Sequence, residues 1–480
     1  MIESREAFFI GNEWCNASSS RKFDIVNAST GEKVATVPEA VEQDIDHAVA
    51  TARSAFTEGS WANATPTERA KVLTAFMQEL AKRGEELHQA VSVQNGMPIA
   101  ISSALEGQFA LGLMAYYAEV GSQLSNAEEH RPSQAGKTTL VSAAPVGVVA
   151  AIVPWNFPVT LALSKIAPAM IAGCTVVIKP SPGTVLDSYI LAEAALAAGV
   201  PAGVLNWVAA DRQVGSYLVT HPGVNKVAFT GSSTAGRSIA QSCGELLRPV
   251  SLELGGKSAA IVLDDADLDE FVAEIPMTCM LSNGQACFNG TRILAPESRY
   301  SDVVEAVSAL ASNLVVGNAL DTETHIGPMA SAAHRNRVES YIDVGKDEAR
   351  LVAGGGRPAG LDNGWFVEPT VFADVHNDAR IAREEIFGPV LSIISYKNDA
   401  EAIAIANDSD YGLGGSVWSQ DSERATDIAR AVRSGTVGVN GYMPSLGAPF
   451  GGIKASGLGC EFSHETIEGY QQRKSIYVMR

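Results

Sequence analysis

This chain of 480 residues has no Cys-x-x-Cys pair, no Cys/His cluster and no apolar run as long as a membrane-spanning helix. Its six cysteines, Cys15, Cys174, Cys243, Cys279, Cys287 and Cys460, are widely scattered. That spacing argues against a zinc site or a disulfide framework and fits free thiols in a reducing cytoplasm, so no metal centre is expected. Pro145, Pro154 and Pro158 interrupt the most hydrophobic region before it reaches the roughly 18 apolar residues of a span. The N-terminal MIESREAFFIGNEW has no signal-peptide core. Basic charge is scarce as well: 35 Lys and Arg stand against 54 Asp and Glu, a formal charge of −19. Nucleic acid and anionic membranes both repel such a chain, so neither is expected as a partner.

Hydrophobic residues make up 46% of the sequence, enough for a globular protein, and the length exceeds what one core supports, so at least two domains are expected. After a short β-rich start, the first third reads as helical. Between 44 and 56, Ile45, Ala48, Val49, Ala52 and Phe56 fall on one stripe. Thr65-Pro66-Thr67-Glu68 then supplies an N-cap, a first-turn proline and a capping-box glutamate. From 146 to 263, short β-branched runs (146–153, 175–178, 204–208, 226–229, 250–252) alternate with helical stretches near 161–171, 185–198, 214–220 and 235–242. Such alternation predicts a parallel sheet covered by helices on both faces. Beyond Gly256 the pattern restarts with runs at 259–263, 292–294, 390–396, 416–418 and 436–439, which predicts a second α/β domain. Gly354-Gly355-Gly356 reads as a turn. Two segments, 122–139 and 474–478, fit neither domain and read as extensions seeking a sheet edge, in this subunit or another.

Ligands of parallel sheets collect outside the carboxyl ends of the strands. The residues there are Pro154-Trp155-Asn156, Lys179-Pro180-Ser181, Thr230-Gly231-Ser232 and Glu253-Leu254-Gly255-Gly256. Cys287, in Gly284-Gln285-Ala286-Cys287-Phe288-Asn289-Gly290, is the candidate nucleophile, because apolar packing is thin in such a loop; the other five cysteines read as packing. An ordinary thiol is only slightly ionised at neutral pH, so Cys287 needs a base or a cation nearby. Glu253 is the candidate base, since a carboxyl between leucines at a strand end has its pKa raised; the alternative is an ion pair with Lys257. Asn156 either donates to a developing oxyanion or caps a turn. The segment from Thr230 to Gly236 joins a strand to a helix and suits a phosphate, although it is neither a G-x-G-x-x-G nor a Walker motif. Lys179 adds a cation at the neighbouring strand end.

Together these residues resemble the aldehyde dehydrogenase superfamily nearly end to end. The signatures are Pro154-Trp155-Asn156-Phe157-Pro158, Lys179-Pro180-Ser181, Phe229-Thr230-Gly231-Ser232, Glu253-Leu254-Gly255-Gly256-Lys257, Gly284-Gln285-Ala286-Cys287, Glu384-Glu385-Ile386-Phe387-Gly388-Pro389 and Pro449-Phe450-Gly451-Gly452, in that order. The resemblance implies an α/β fold with three parts: a Rossmann-like dinucleotide-binding domain (1–122 and 146–253), an α/β catalytic domain (254–462) and a small β oligomerisation arm (123–145 and 463–480). It implies a homo-oligomer, dimer or tetramer with the tetramer favoured; the cytoplasmic location expected rests on the cysteine usage and the N-terminus. It also implies oxidation of an aldehyde to the acid through a thiohemiacetal and a thioester on Cys287. Asn156 and the Cys287 N–H hold the oxyanion, Glu253 activates the hydrolytic water, and Lys165 with Glu461 form a proton path behind it.

The cofactor contacts implied are Ile152 and Trp155 near the nicotinamide, Lys179 on the adenosine ribose, Gly215 and Gly231 near the adenine and pyrophosphate, and Ser232 on phosphate. Leu254 is implied near the nicotinamide amide, and Glu385 and Phe387 on its ribose. Many NAD-preferring members carry a glutamate three residues after the Lys179 position; here it is Pro182, followed by Gly183. With that repulsive charge gone, and with Lys179 and Ser181 able to meet a phosphate, NAD is favoured and NADP admitted. A second departure is Cys460, where the family commonly has arginine. Tyr117, Phe157, Leu161, Ser164, Phe288, Tyr442 and Phe450 are expected to line a substrate tunnel without a Lys or Arg anchor. This favours uncharged, medium-sized aliphatic or aromatic aldehydes. A CoA-acylating activity is disfavoured because it has no use for Glu253, and a non-enzymatic role because the catalytic set is complete.

Overall fold

The computed structural model describes residues 3–125, 129–132 and 138–478. Parts of the expected arm (126–128, 133–137 and 479–480), and residues 1–2 of the expected nucleotide domain, lie outside the described residues.

The five runs read from the sequence between 146 and 252 form the parallel centre of an eight-stranded sheet. Its spatial order is Gly457–Leu458, Val250–Glu253, Lys226–Thr230, Val148–Ile152, Thr175–Lys179, Leu205–Trp207, Ala7–Ile10 and Glu13–Asn16. Val148–Ile152, Thr175–Lys179 and Lys226–Thr230 are buried at every position, which is why these strands read as continuous apolar runs rather than alternating ones. Antiparallel strands close both edges: Ala7–Ile10 pairs with Leu205–Trp207, and Gly457–Leu458 pairs with Val250–Glu253. The chain thus returns to the first sheet from within the 254–462 segment.

A seven-stranded sheet follows, in the order Arg350–Ala353, Thr370–Ala373, Val390–Tyr396, Arg292–Pro296, Ala259–Val262, Gly415–Trp418 and Gly438–Val439. Sequence reading misses the first two. Each has only four residues: Arg350 and Leu351 are exposed, so the first shows neither a run nor an alternation, and the second is buried throughout but too short to stand out.

The two unplaced extensions pair with each other inside this chain. Gln471–Val478 runs antiparallel to Thr138–Pro145, with Lys474 opposite Ser142, and Glu129–Pro132 completes a three-stranded sheet. The expectation of an edge in another subunit is therefore not needed to pair them.

One membrane-related expectation is corrected. The continuous helix Ile99–Gln123, 25 residues, is long and apolar enough by length and composition to cross a membrane. Ser102, Glu106 and Gln108 break its apolar run in the sequence without lowering its mean hydropathy enough. In the fold it is held by polar contacts: Glu106 accepts from the Val159 and Thr160 N–H groups at 2.7 and 3.2 Å, and the Tyr117 hydroxyl donates to the Ser463 carbonyl at 3.2 Å. Over Ser102–Phe109 this helix is wound in the wider π form.

The helix Pro66–Ala81 begins as the sequence predicts. The Glu68 N–H donates to Thr65 Oγ1 at 3.2 Å, and the Thr65 N–H donates to Glu68 Oε2 at 2.7 Å. Thr65→Ala removes one half of this box and is expected to lower stability by about 1 kcal/mol, measured by urea titration, with kcat/KM unchanged.

Candidate active site

Glu253 ends its strand opposite Thr230, and its carbonyl accepts the Gly231 N–H at 3.0 Å. Its carboxyl is buried, and Oε2 has no hydrogen-bond partner. Burial, and then the neighbouring Glu461 carboxylate, push its pKa well above the usual carboxyl range, with Lys165 opposing. The expected alternative, an ion pair with Lys257, is not formed. Burial beside Arg292 depresses the Lys257 ammonium to about 7, and the acidic groups that face it are Glu385 and Glu384.

Lys165, fully buried on the helix Pro158–Ala172, donates to Glu461 Oε1 at 2.7 Å and to Thr230 Oγ1 at 2.6 Å. Ser164 donates to the other Glu461 oxygen at 2.8 Å. The two groups expected to form a proton path, Lys165 and Glu461, are thus in direct contact. The C-terminal segment is anchored by Lys165, without the family's arginine; the Cys460 thiol, half-buried, instead meets Ser463 and Thr466.

Asn156 follows the central strand Val148–Ile152 and precedes the helix Pro158–Ala172. Its Nδ2 donates to the Gln285 carbonyl at 2.9 Å, two residues before Cys287. The Cys287 loop meets the strand-end motif directly. A Cβ on Gly256 would lie 2.3 Å from the Cys287 carbonyl oxygen, so this contact requires glycine. Burial, followed by the Glu385 and Glu253 carboxyls, pushes the Cys287 thiol far above its ordinary pKa.

Two cavities meet at Cys287. The larger, about 590 Å³, lies over the strand ends, and its wall includes Trp155, Asn156, Gly231, Ser232, Leu254, Glu385 and Phe387 from the expected set. Four other expected cofactor residues lie outside its wall. Lys179 is buried with its stem against Gly215, where a Cβ would sit 3.1 Å from Lys179 Cε, and its Nζ donates to the Pro180 carbonyl at 3.0 Å. Burial lowers its pKa to about 8, with Asp211 opposing. Ile152 is interior to the sheet, and the Ser181 carbonyl accepts the Thr184 N–H in a turn.

Sequence reading misses His334, Arg337 and Tyr341, which the helix Ala332–Glu348 brings to the same wall. The His334 ring lies 5.1 Å from Trp155 and 5.9 Å from Phe387, and its Nε2 is 2.6 Å from the Phe387 carbonyl oxygen. Burial depresses its pKa to about 4, so at neutral pH the ring is uncharged and Nε2–H donates. No motif accompanies these residues, and a lone histidine on a polar helix carries no signal of its own. Glu385 is fixed by accepting the Gly256 N–H at 2.9 Å, and burial raises it to about 7.

The smaller cavity, about 60 Å³, is apolar, and Cys287 is the one residue whose side belongs to both linings. Phe157, Leu161, Phe288 and Phe450 line it as expected. Tyr117, Ser164 and Tyr442 do not. Tyr117 is buried against Ser463, Ser164 serves Glu461, and the Tyr442 hydroxyl pairs with Thr436 at 2.6 Å while its ring packs on Phe288. Leu105 and Phe109 from the π-wound segment, with Met443 and Phe462, take their places. These arrive through tertiary packing from opposite ends of the chain, which no local pattern announces.

Residues 14–476 match the family model described as the aldehyde dehydrogenase family. The geranial dehydrogenase of Castellaniella defragrans is 57% identical over 479 residues, 100% of both chains. The phenylacetaldehyde dehydrogenase of Pseudomonas fluorescens is 37% identical, over 98% of this chain and 95% of that one. Among solved structures, a Mycobacterium tuberculosis aldehyde dehydrogenase complexed with NAD+ superposes with a TM-score of 0.96 at 45% identity, covering 99% of this chain and 98% of that one. With matching motifs, fold and sequence along its whole length, the chain belongs to the aldehyde dehydrogenase family.

Proposed function

We propose that this protein oxidises an uncharged, medium-sized aliphatic or aromatic aldehyde to the carboxylic acid, using NAD as hydride acceptor. The observation that carries this reading is the position of Cys287, the residue shared by a large polar-walled cavity and a small apolar one.

The large cavity fits a dinucleotide. It lies at the carboxyl ends of parallel strands, and Ser232, Ser233 and Thr234 bring the start of the helix Ser233–Glu245 to its wall, a favourable seat for a pyrophosphate. Trp155, Phe387 and His334 form an aromatic wall, and Glu385 presents a carboxyl for ribose hydroxyls. Pro182 carries no charge to oppose a 2′-phosphate, and a Cβ at the neighbouring Gly183 would meet nothing within 4 Å, which supports room there, so NADP is admitted beside NAD. The NAD+ bound in the Mycobacterium relative supports NAD.

Cys287 Sγ attacks the aldehyde carbon. Its raised pKa means that a base must take the proton, and Glu253, whose carboxyl acts electrostatically on the thiol, is the candidate. One Asn156 N–H is engaged by Gln285; the other is available to the oxyanion, a contribution of about 3 kcal/mol in the transition state. A nicotinamide nucleotide, when bound, accepts the hydride that the thiohemiacetal releases, which leaves a thioester on Cys287. Glu253 then removes a proton from water, which displaces the thiolate as the acid forms. The Lys165–Glu461 pair, electrostatically coupled to Glu253, offers the proton a route onward.

The apolar cavity has no charged side chain on its wall, and the two relatives named for geranial and phenylacetaldehyde support an uncharged substrate. Half-exposed Met443 supplies an adaptable wall for aldehydes of different shape. We assign the nucleotide to the 1–122 and 146–253 segments, the nucleophile to 254–462, and oligomerisation, with a tetramer favoured, to 123–145 and 463–480. The separate three-stranded sheet of the last pair, with Tyr477 exposed, supports this division. The six free thiols support a cytoplasmic location.

Cys287→Ala is expected to lower kcat by roughly 10³-fold or more; wild-type turnover would overturn the mechanism. Glu253→Gln is expected to yield about one equivalent of reduced nucleotide in a phase slower than the wild-type first turnover, because the thiol has lost its base, followed by still slower turnover as the thioester accumulates. Kinetics on hexanal, benzaldehyde and succinic semialdehyde test the substrate class, and the highest kcat/KM on the last would defeat it. In the free enzyme, iodoacetamide labelling of Cys287, followed by peptide mass spectrometry, is expected to keep rising from about pH 7 to 10 because the thiol is raised; a plateau below pH 8 would contradict that environment.

A further inference from the structure

The helix Gly84–Asn95 ends beside the active site, and its last residues bond to segments far away in the chain. Asn95 Nδ2 donates to the carbonyls of Trp155 and Asn156, both at 3.1 Å, while its Oδ1 accepts the Met97 N–H at 3.0 Å. The next carbonyl, that of Gly96, accepts from Asn283 Nδ2 at 2.8 Å. Asn283 also donates to the Pro328 carbonyl at 2.9 Å and accepts the Gly327 N–H at 2.7 Å. Asn156 Nδ2 in turn donates to the Gln285 carbonyl at 2.9 Å.

These bonds form a closed circuit. It runs from Asn95 to the Asn156 backbone, through the Asn156 side chain to Gln285, back along the Cys287 loop to Asn283, and through Gly96 to Asn95. Asn95 is 1% exposed and Asn283 is 0% exposed, so water does not compete for the donors, and a lost bond leaves carbonyls unpaired in the interior. Chemistry fixes the residue type at 95. Two carbonyl oxygens converge on one side-chain atom, which must therefore carry two N–H donors, and the Met97 N–H requires an acceptor on the other atom. A neutral primary amide supplies both; a carboxylate would set oxygen against two carbonyl oxygens.

We propose that Asn95 is a positioning residue for the oxyanion site. It fixes the backbone of Asn156, and hence the direction of the Asn156 amide, relative to the Cys287 loop. This rests on the reading of Asn156 as the oxyanion donor. Asn95 touches neither cavity, so it acts through Asn156 and not on the substrate or the nucleotide.

A double-mutant cycle on the full-length enzyme tests the proposal, using Asn95→Ala, Asn156→Ala and the double variant, with Asn95→Ser as a second truncation should the alanine variant fail to fold. Asn95→Ala is expected to lower kcat/KM for hexanal roughly 10- to 100-fold, as a small misplacement of a catalytic group does. The Kd for NAD and the rate of Cys287 alkylation by iodoacetamide, which develops no oxyanion, are expected to stay within about 2-fold of wild type, a pattern that a general loss of structure would not leave. In the Asn156→Ala background the further loss from Asn95→Ala is expected to shrink to about 2-fold or less, because residues acting as one unit are not additive. Equal losses in both backgrounds, or no loss in the wild type, would overturn the role of Asn95 while leaving the oxyanion reading intact. Full activity in Asn156→Ala alone would instead overturn that reading, and the inference with it.

Discussion

The ion pair between Lys165 and Glu461, closed off from solvent, is the contact on which the geometry of the site depends. It ties the helix behind Asn156 to a segment almost 300 residues later, and that segment does three things at once. Glu461 exchanges backbone hydrogen bonds with Phe450, which lines the apolar cavity; Gly457–Leu458 pairs with the strand that carries Glu253; and Phe462 completes the apolar wall. A buried pair of this kind adds little net stability, since desolvation offsets much of the attraction, but removing one partner strands the other charge at a cost of about 3–5 kcal/mol. Its value here is registry. The additional bonds from Lys165 to Thr230 and from Ser164 to Glu461 satisfy the remaining polar atoms, which makes the alternative placements of the C-terminal segment costly.

The same enclosure sets the electrostatics. Three acidic groups, Cys287, Glu253 and Glu385, are all pushed upward, and burial is the leading cause for each. The Glu385 and Glu253 carboxyls add to it at Cys287 and the Glu461 carboxylate adds to it at Glu253, so the resting site disfavours charge. A low-charge resting site tolerates a thiol beside a carboxyl and keeps Cys287 protonated. Glu253 Oε2 is buried without a hydrogen-bond partner, so this carboxyl is not locked into an ion pair.

Much of this was legible in the sequence where the information is local. The parallel strands of the first sheet are buried on both faces and therefore spell continuous apolar runs, and Thr65 to Glu68 forms the capping box that its spacing predicts. Asn156, Glu253 and Cys287 stand out because each follows a strand end or sits in a glycine-rich loop, where packing alone does not demand those residue types. His334 and Asn95 were not legible. Each lies within an ordinary helix, and its partners, Phe387 and the Trp155–Asn156 turn, are over 50 residues away. Tyr117, Ser164 and Tyr442 were misplaced for a related reason. Sequence shows a polar or aromatic residue near a motif but not whether its hydroxyl is already engaged, as all three are. The strands Arg350–Ala353, at the sheet edge, and Thr370–Ala373, just inside it, escaped because four residues carry too little pattern to register.

Because the two cavities share Cys287 alone, their walls are free to diverge separately. Substitutions at Phe109 or Met443 reshape the apolar chamber without entering the polar one, and changes around Ser232 or Glu385 leave the apolar chamber untouched. Divergence of this scaffold can therefore alter the two chambers as nearly orthogonal traits, with the sulfur as the one position among the described residues at which both histories must agree.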